Sequence, residues 1–187
     1  RQRQMCIRDR ESIEHLDKRL FRIRAIRDFG DVSKGELGGF VESENNLSHE
    51  GDCWIYDNGK VFGNGLVCGN GLVSGNGIVC GNGVVSDNGV VGDNGVVGDN
   101  GKVLDNGVVY DYGILRDKGI LRDNGVLSDY GVIAGNGIVS GEAEIRGDTT
   151  IRQLDDYIVF KNNWSSGRYF TWTKSNNMWS VGCFYGT

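Results

Sequence analysis

The sequence predicts an all-β protein: a single-stranded parallel β-helix of stacked triangular coils, followed by a small β-rich C-terminal unit. Three observations support this. Residues 55–150 repeat with a period of six and no interruption. The chain has 31 glycines and no proline among 187 residues, which excludes a collagen-like structure. From residue 151 the period breaks, and short apolar runs alternate with turn residues.

The repeating unit is defined by its first and fifth positions. Position one is Val, Ile or Leu in all sixteen hexads, and position five is Gly in fourteen, with Ala143 and Thr149 as the exceptions. Residues at positions five, six and one should form a short strand in which five and one face the same side. Position three is Gly or Asp, both common in turns. The Asn at position four is expected to take the left-handed conformation of a corner.

One hexad supplies one side and one corner, so three hexads should close a coil of eighteen residues. Sixteen hexads then make about five coils, with a height of about 25 Å at the usual strand spacing. Tyr112 and Tyr130 are eighteen residues apart and should stack, whereas Arg116 and Arg122 are six apart and should lie on different sides. The inward column should include Val67, Val85 and Val103.

The sequence predicts four segments. Residues 1–18 are expected to be a non-native or disordered tail, since residues 1–10 resemble a translated sequencing adapter. Residues 19–54 should form an N-terminal cap and first coil, and residues 55–150 the solenoid. Residues 151–187 should form the C-terminal unit, which we expect to be truncated, with three strands near 157–160, 168–172 and 178–181.

The hexads resemble those of the left-handed parallel β-helix proteins, the hexapeptide-repeat family, in which a small residue follows an aliphatic one by four places. The segments IRDF at 26–29, LGGFV at 37–41 and GDCWIYD at 51–57 also resemble the opening of a bacterial protein described as an uncharacterised acetyltransferase. They are similar to hypothetical phage and gut-bacterial solenoids as well. The resemblance runs from about residue 20 to the end, and it implies left-handed coils.

Charge and hydropathy favour some function classes over others. Residues 55–150 carry six Lys/Arg against twelve Asp/Glu, and an acidic repeat repels phosphate backbones, so nucleic acid is not an expected partner. Neither a secretory signal nor an apolar run near eighteen residues is found, so no membrane span is expected either. We expect a soluble, cytoplasmic protein of a bacterium or phage-infected cell.

The family resemblance implies, as an alternative, coenzyme A-dependent acyl transfer by a trimer with acetyl-CoA as the cofactor. Such enzymes need a histidine as general base. The chain has only His15 and His49, both outside the repeat, and the hexads have no inserted loop. His49 is therefore a weak catalytic candidate, an exposed cap histidine is the favoured interpretation, and no cofactor-binding residue can be named.

Aspartates occupy position three in eight successive hexads and should stack in columns. They could bind a cation weakly through hard oxygen ligands. Corner chemistry is the favoured alternative, because Asp can hydrogen-bond its own turn backbone. The weak metal candidates are Asp87, Asp105 and Asp123 on one corner and Asp93, Asp111 and Asp129 on another.

Position six should point outward, yet it is aliphatic in most hexads, with Lys60 and Lys102 as exceptions. Three such stripes exceed what a monomer usually exposes, which suggests self-association or a protein partner. The alternative is that caps cover the stripes or that β-propensity drives the choice. The stripe residues are Leu66, Leu72, Ile78, Val84, Val90, Val96, Val108, Ile114, Ile120, Val126, Val132 and Ile138.

Aromatic residues are concentrated in the C-terminal unit, where they could stack on bases or sugars. A role as the core of a small β-unit is the favoured alternative. Cys68 and Cys80 should lie on different sides of a coil, so no disulfide is expected between them. The aromatic set is Trp164, Tyr169, Phe170, Trp172, Trp179, Phe184 and Tyr185.

Taken together, these features predict a structural or interaction solenoid without catalytic activity. Acyl transfer is the second hypothesis. An ice- or surface-binding face is a weaker one, because regular Thr rows are absent from the repeat.

Overall fold

The protein is almost wholly β. A computed structural model describes residues 4–164, 167–181 and 184–186, except for the side chains of residues 8–10, 184 and 185. Within these residues the helical elements are two short 3-10 turns, Glu44–Asn46 and Leu154–Asp156. The fold class is confirmed: parallel coils form a β-solenoid, and a small antiparallel sheet follows it.

The strands fall into three groups along the chain. The N-terminal strands are β1 (Met5–His15), β2 (Lys18–Ala25) and β3 (Leu37–Val41). The coil strands are β4 (Trp54–Ile55), β5 (Lys60–Val61), β6 (Leu66–Val67), β7 (Leu72–Val73), β8 (Ile78–Val79), β9 (Val84–Val85), β10 (Val90–Val91), β11 (Val96–Val97), β12 (Lys102–Val103), β13 (Val108–Val109), β14 (Ile114–Leu115), β15 (Ile120–Leu121), β16 (Val126–Leu127), β17 (Val132–Ile133), β18 (Ile138–Val139), β19 (Glu144–Ile145) and β20 (Thr150–Ile151). The C-terminal strands are β21 (Tyr157–Lys161), β22 (Tyr169–Thr173), β23 (Met178–Val181) and β24 (Phe184–Gly186).

Every third coil strand joins the same sheet, so the coils have three sides. The sheets have the orders β1-β2-β3-β5-β8-β11-β14-β17-β20, β4-β7-β10-β13-β16-β19 and β6-β9-β12-β15-β18. Val90 pairs in parallel with Val108, which confirms the eighteen-residue coil. The coil strands make about six turns, slightly more than the five expected from the hexads alone, because β3 and β4 belong to an earlier turn.

The first coil is longer than the others. Phe40 pairs with Lys60, a spacing of twenty residues, whereas Trp54 pairs with Leu72 at the regular eighteen. The two extra residues lie between Leu47, which still bridges to Val67 at a spacing of twenty, and Trp54. The first coil, which begins within the predicted segment 19–54, is therefore irregular.

Position one forms the core. Each of its side chains from Ile55 to Ile151 has no exposed surface, and those before the last coil stack on the equivalent residue of the next coil. The column Val67, Val85 and Val103 lies inside as expected. Burying such a side chain stabilises the fold by about 1.5–3 kcal/mol, so the repeat gains its stability from this one position in every hexad.

Position five must be small because consecutive coils approach closely there. A Cβ added to Gly137 would lie 2.6 Å from the carbonyl oxygen of Ile151, and most other position-five glycines meet the next coil at about 3 Å. The two exceptions, Ala143 and Thr149, belong to the last coil, which the C-terminal sheet rather than another coil covers. The change from Gly thus marks the end of the stack.

The left-handed residue of each corner lies at position three, not at the Asn of position four. Asp87, for example, has φ +56° and Gly81 has φ +62°. The position-five N–H then donates to the position-two carbonyl, as Gly89 does to Ser86 at 2.9 Å. The prediction that Asn takes this conformation was wrong: position three takes it, where Gly adopts positive φ freely and Asp adopts it more readily than most other residues.

The position-four asparagines instead bond one another from coil to coil. The Nδ2 of Asn70 donates to Oδ1 of Asn88 at 3.1 Å, and Asn88 donates in turn to Asn106 at 3.0 Å. The column continues through Asn124, whose amide donates to the carboxylate of Glu142 at 2.5 Å. The repeat selects Asn here because an amide can both donate and accept along a stack.

The N-terminal segment differs from the expectation. Residues 1–18 are predicted to be a non-native or disordered tail, but in the structure β1 pairs antiparallel with β2 at the end of the nine-stranded sheet. Met5 and Ile23 are buried in the same core as the coils. This strand begins with three consecutive apolar residues, Met5, Cys6 and Ile7, and has no regular alternation that would mark it as a strand in the sequence.

The C-terminal sheet closes the last coil with side-chain hydroxyls. Ser180 Oγ donates to the carbonyl of Glu144 at 3.2 Å, and Thr171 Oγ1 accepts from the N–H of the same residue at 2.9 Å. Ser175 Oγ likewise accepts from the N–H of Thr150 at 2.9 Å. The sheet has the order β21-β22-β23-β24, one strand more than expected, because β24 lies beyond the three predicted runs.

Candidate functional site: the outward faces of the coils

The outward aliphatic side chains form one row on each side of the solenoid. On the six-stranded sheet the row is unbroken over Leu72, Val90, Val108 and Val126, which pair in sequence. On the nine-stranded sheet an equally long row follows Lys60 and consists of Ile78, Val96, Ile114 and Val132. On the five-stranded sheet Lys102 interrupts the row between Val84 and Ile120. The predicted direction of position six is confirmed, since it alternates with the buried positions five and one.

These rows are less exposed than isolated side chains would be. Ile114 is exposed over 36% of its surface, and the other aliphatic residues of position six are half-buried. Each side chain is covered above and below by the residue eighteen positions away, because neighbouring strands lie only about 4.8 Å apart. Association of the rows would therefore bury less area per residue than full side-chain burial implies.

The row on the six-stranded sheet is framed at both ends. Trp54 precedes it and is buried, with its ring edge-on to Phe29 at 5.4 Å between centroids. Glu144 follows it and forms an ion pair with Arg146 at 3.3 Å. The result is a flat apolar strip, four coils high, between a covered aromatic residue and a charged pair.

The position-three aspartates link consecutive corners. Oδ2 of Asp123 accepts from the N–H of Gly141 at 2.9 Å, and Oδ2 of Asp105 accepts from the N–H of Asp123 at 3.3 Å. Asp111 accepts in the same way from Asp129 at 3.4 Å. The acceptor role expected for corner aspartates is present, but the donor belongs to the next coil rather than to the same turn.

The same aspartates were the weak metal candidates. In the part of the chain that the structure describes, no group of three His, Cys, Asp or Glu residues is arranged to hold a metal ion. Asp87 and Asp93 begin their columns, and the Oγ of Ser86 donates to the carboxylate of Asp87 at 3.0 Å. The carboxylates of Asp105, Asp111 and Asp123 act as acceptors for backbone N–H groups of the next coil.

Two exposed tyrosines interrupt one asparagine column. Tyr112 and Tyr130 stack with ring centroids 5.2 Å apart and ring planes 7° from parallel, which confirms the predicted stack. Both rings are more than half exposed. Arg116 and Arg122 follow strands of different sheets, also as predicted.

The C-terminal aromatic residues do not form an internal core. Phe170 and Trp172 lie on the sheet face opposite Thr171 and Thr173, which are buried against the coils. The favoured interpretation of these aromatics was therefore wrong for the described residues. Trp164 is fully exposed, and Tyr169 is partly exposed beneath Lys161, whose Nζ lies 5.3 Å from the ring centroid. The side chains of Phe184 and Tyr185 lie outside the described set.

The weak catalytic candidate His49 lies in the N-terminal cap. Its Nδ1 accepts from the backbone N–H of Gln4 at 3.3 Å. His15 is also in the cap, edge-on to Phe62 at 5.5 Å, and its pKa is lowered by burial and by the charge of Lys60. The structure therefore places both histidines at the N-terminal end and brings neither to the faces of the regular coils.

The cysteines occupy separate positions. Cys68 and Cys80 follow strands of different sheets, as predicted, and they are free together with Cys6 and Cys53. Burial raises the pKa of the Cys53 thiol to about 12. Cys183 lies outside the described residues.

Comparisons with known proteins give one partial similarity. The chain is 48% identical over 42 residues to a protein named Uncharacterized acetyltransferase YdcK from Escherichia coli (strain K12). That match covers 22% of this chain and 13% of the relative, so the chain spans only a small part of the relative's length. No family model matches the chain. Among the described residues, no helix has the length and apolar character that a membrane crossing would need.

Proposed function

We propose that this chain is a non-enzymatic structural solenoid that associates laterally, with copies of itself or with a protein partner, through the six-stranded sheet. The observation that carries the proposal is the unbroken aliphatic row Leu72, Val90, Val108 and Val126. Apolar strips of this extent on a protein surface mark interaction sites more often than solvated faces.

The shape of the face suits such a contact. Every coil strand is only two residues long and lies in register with its neighbours, so the face is flat and its row is straight. Two flat sheets pack about 10 Å apart with their side chains interdigitated. The acidic corners would remain in water at the rim of the contact, where interfaces are usually polar.

Sedimentation velocity over a range of protein concentrations tests this proposal. The parent should show a weight-average sedimentation coefficient that rises with concentration, and this rise should be much smaller for the triple variant Val90→Thr, Val108→Thr, Val126→Thr. Threonine keeps the branched shape and the β-propensity of valine while adding a hydroxyl that resists burial.

The matched control carries the same kind of change on the interrupted row. The variant Val84→Thr, Ile120→Thr, Ile138→Thr should associate like the parent, because Lys102 already breaks that face. A parent that is monomeric at every concentration, in the absence and presence of candidate partners, would contradict lateral association.

The second candidate function is coenzyme A-dependent acyl transfer by a member of the left-handed hexapeptide-repeat family. It is supported by the 42-residue similarity to a protein whose name includes acetyltransferase. A fold shared with enzymes does not by itself assign an activity. The position of His49 in the N-terminal cap, with its Nδ1 accepting from Gln4, gives no basis for activating a nucleophile on the coils.

Calorimetric titration with acetyl-CoA separates the two candidates. We expect no binding heat for the parent. Micromolar binding that is lost in His49→Ala and kept in His15→Ala would establish the second candidate in place of the first.

A further inference from the structure

The C-terminal sheet packs hydroxyl residues, together with Tyr157 and Val159, against the coils and directs most of its aromatic residues outward. Alternate residues of a strand face opposite sides. The side facing the coils carries the buried hydroxyl residues Thr171, Thr173 and Ser180. The other side carries apolar and aromatic residues, namely Ile158, Phe160, Phe170, Trp172, Trp179 and Val181. The last coil is thus covered by a sheet whose outer face is apolar and rich in aromatic residues.

This face contains an apolar concavity of about 350 Å³, lined by Phe160, Phe170, Trp179 and Val181. The rings fix its shape: Phe160 stacks on Phe170 at 5.2 Å, and Trp179 meets Phe160 edge-on at 5.7 Å. Sugars and bases need convergent polar groups for their recognition, and this lining offers none. The concavity suits an apolar side chain.

A matching side chain lies on the same unit. Trp164 follows β21 in a turn, where its backbone N–H donates to Oδ1 of Asn162 at 3.0 Å, and its side chain is fully exposed. Full exposure means that it does not fill the concavity of its own chain. A projecting tryptophan and an unfilled apolar concavity therefore occur together at one end of the molecule.

We propose that two copies of this chain pair tail to tail, with Trp164 of each copy seated in the concavity of the other. A projection and a cavity on one surface can satisfy each other reciprocally about a two-fold axis, which closes the assembly at a dimer. Tryptophan is also the residue type most often dominant in binding energy when it enters a desolvated pocket.

The available area is sufficient for a specific contact. Ile158 and Phe160 are each about half exposed, Trp164 is wholly exposed, and Trp172 and Trp179 on the same outer face are partly exposed. At about 150–250 Å² for each aromatic side chain, these residues contribute about 500 Å² per copy. Two copies would bury about 1,000 Å², which reaches the lower limit of specific interfaces.

This interface is separate from the lateral rows. It lies on β21 to β23, beyond the last coil, so it does not depend on the proposed function of the six-stranded sheet. A protein with both contacts would form a doubled rod that also associates along its sides.

The test is mass measurement by light scattering after size exclusion, at concentrations from about 1 to 100 μM, a range chosen to bracket the affinity of a small interface. We expect the parent to be a dimer. The substitution Trp164→Ala should raise the dissociation constant of this dimer at least tenfold. Val181→Asp, which places a charge in the concavity, should have the same effect. Leu16→Ser is the matched control, because Leu16 is an exposed apolar residue at the opposite end, on the turn between β1 and β2.

A photo-cross-linking amino acid at position 164 gives a second readout. In a mixture of isotopically light and heavy chains, the cross-link should join position 164 of one chain to residues 178–181 of a chain with the other isotopic composition. A parent monomeric at all concentrations, or a dimer unaffected by Trp164→Ala and Val181→Asp, would overturn the tail-to-tail interface. A dimer abolished only by the lateral valine substitutions would also overturn it while leaving the lateral proposal intact.

Discussion

Tyr112 and Tyr130 stack ring on ring, eighteen residues apart in sequence, with centroids separated by 5.2 Å. They replace asparagines in the column that also contains Asn76 and Asn94, where Asn76 Nδ2 donates to Asn94 Oδ1 at 3.2 Å. Two different chemistries, an amide ladder and an aromatic stack, therefore occupy equivalent positions. At both places, side chains of the same kind contact each other at the spacing between coils.

We expect the tyrosine stack to appear as a coupling energy. In a double-mutant cycle of Tyr112→Ala and Tyr130→Ala, measured by urea denaturation, the two substitutions should couple by about 0.5–1.5 kcal/mol, the usual value for an aromatic pair. Arg116→Ala and Arg122→Ala form the control cycle. These residues lie at different corners, so their effects should add within about 0.5 kcal/mol. If both cycles gave the same coupling energy, the tyrosine stack would not make a specific contribution to stability.

The coil could be predicted from sequence because its causes are local and periodic. The fixed aliphatic residue at position one, together with the eighteen-residue spacing of Tyr112 and Tyr130, determined the register before any coordinates. The terminal units depend on long-range pairing instead. The pairing of β1 with β2 and the hydroxyl cap around Glu144 involve residues with no period, so only the structure could supply them.

The close approach of coils at position five predicts a position-specific cost for alanine. Gly137→Ala should lower the free energy of unfolding by about 1–3 kcal/mol, the typical cost of overpacking, because the added Cβ would meet the carbonyl of Ile151 at 2.6 Å. Ala143→Gly, in the last coil, should cost less than about 1 kcal/mol. Denaturant titration measures both variants, and equal costs would show that coil contact does not select glycine.

The corner geometry predicts that Gly is a better replacement for Asp123 than Val is. Asp123 has φ +57° and accepts from the N–H of Gly141 at 2.9 Å. Asp123→Gly loses only the carboxylate acceptor, whereas Asp123→Val also places a β-branched residue in the left-handed region, which costs about 1–2 kcal/mol more. Comparison of thermal midpoints checks the order. If Asp123→Val were as stable as Asp123→Gly, backbone conformation would not be what position three selects.

The sequence is enough to locate the candidate surfaces, but it does not tell how much of each side chain is exposed to solvent. The sequence places Val90 and Val108 outward, yet their half-burial follows from coil spacing, which composition does not encode. The aromatic face was missed for a different reason. The alternation of Phe170 and Trp172 with Thr171 and Thr173 was present in the sequence, but a hydroxyl-lined inner face was not considered.

Cys53 predicts an alkaline loss of stability. The thiol is buried, its Sγ donates to the carbonyl of Ser48 at 3.4 Å, and its pKa is raised from the usual 9.0 to about 12, mainly by burial and then by the nearby Cys68. Unfolding releases the thiol to its ordinary pKa. The folded state therefore holds the proton more tightly, and its advantage is complete below pH 9 and declines as the pH rises from about 9 to about 12.

The measurement is denaturant stability as a function of pH for the parent and for Cys53→Ala. The variant loses some packing at every pH, but its stability should decline less steeply between pH 9 and 12, because the Cys53 thiol no longer ionises on unfolding. The Cys6→Ala variant is the control, since Cys6 is only partly buried, and it should keep the parent's slope. A second readout is alkylation by iodoacetamide at pH 8 with mass-spectrometric detection. Because the thiolate is the reactive species, Cys53 should be modified more slowly than Cys6, and faster modification of Cys53 in the folded protein would contradict its assignment as a buried, protonated thiol.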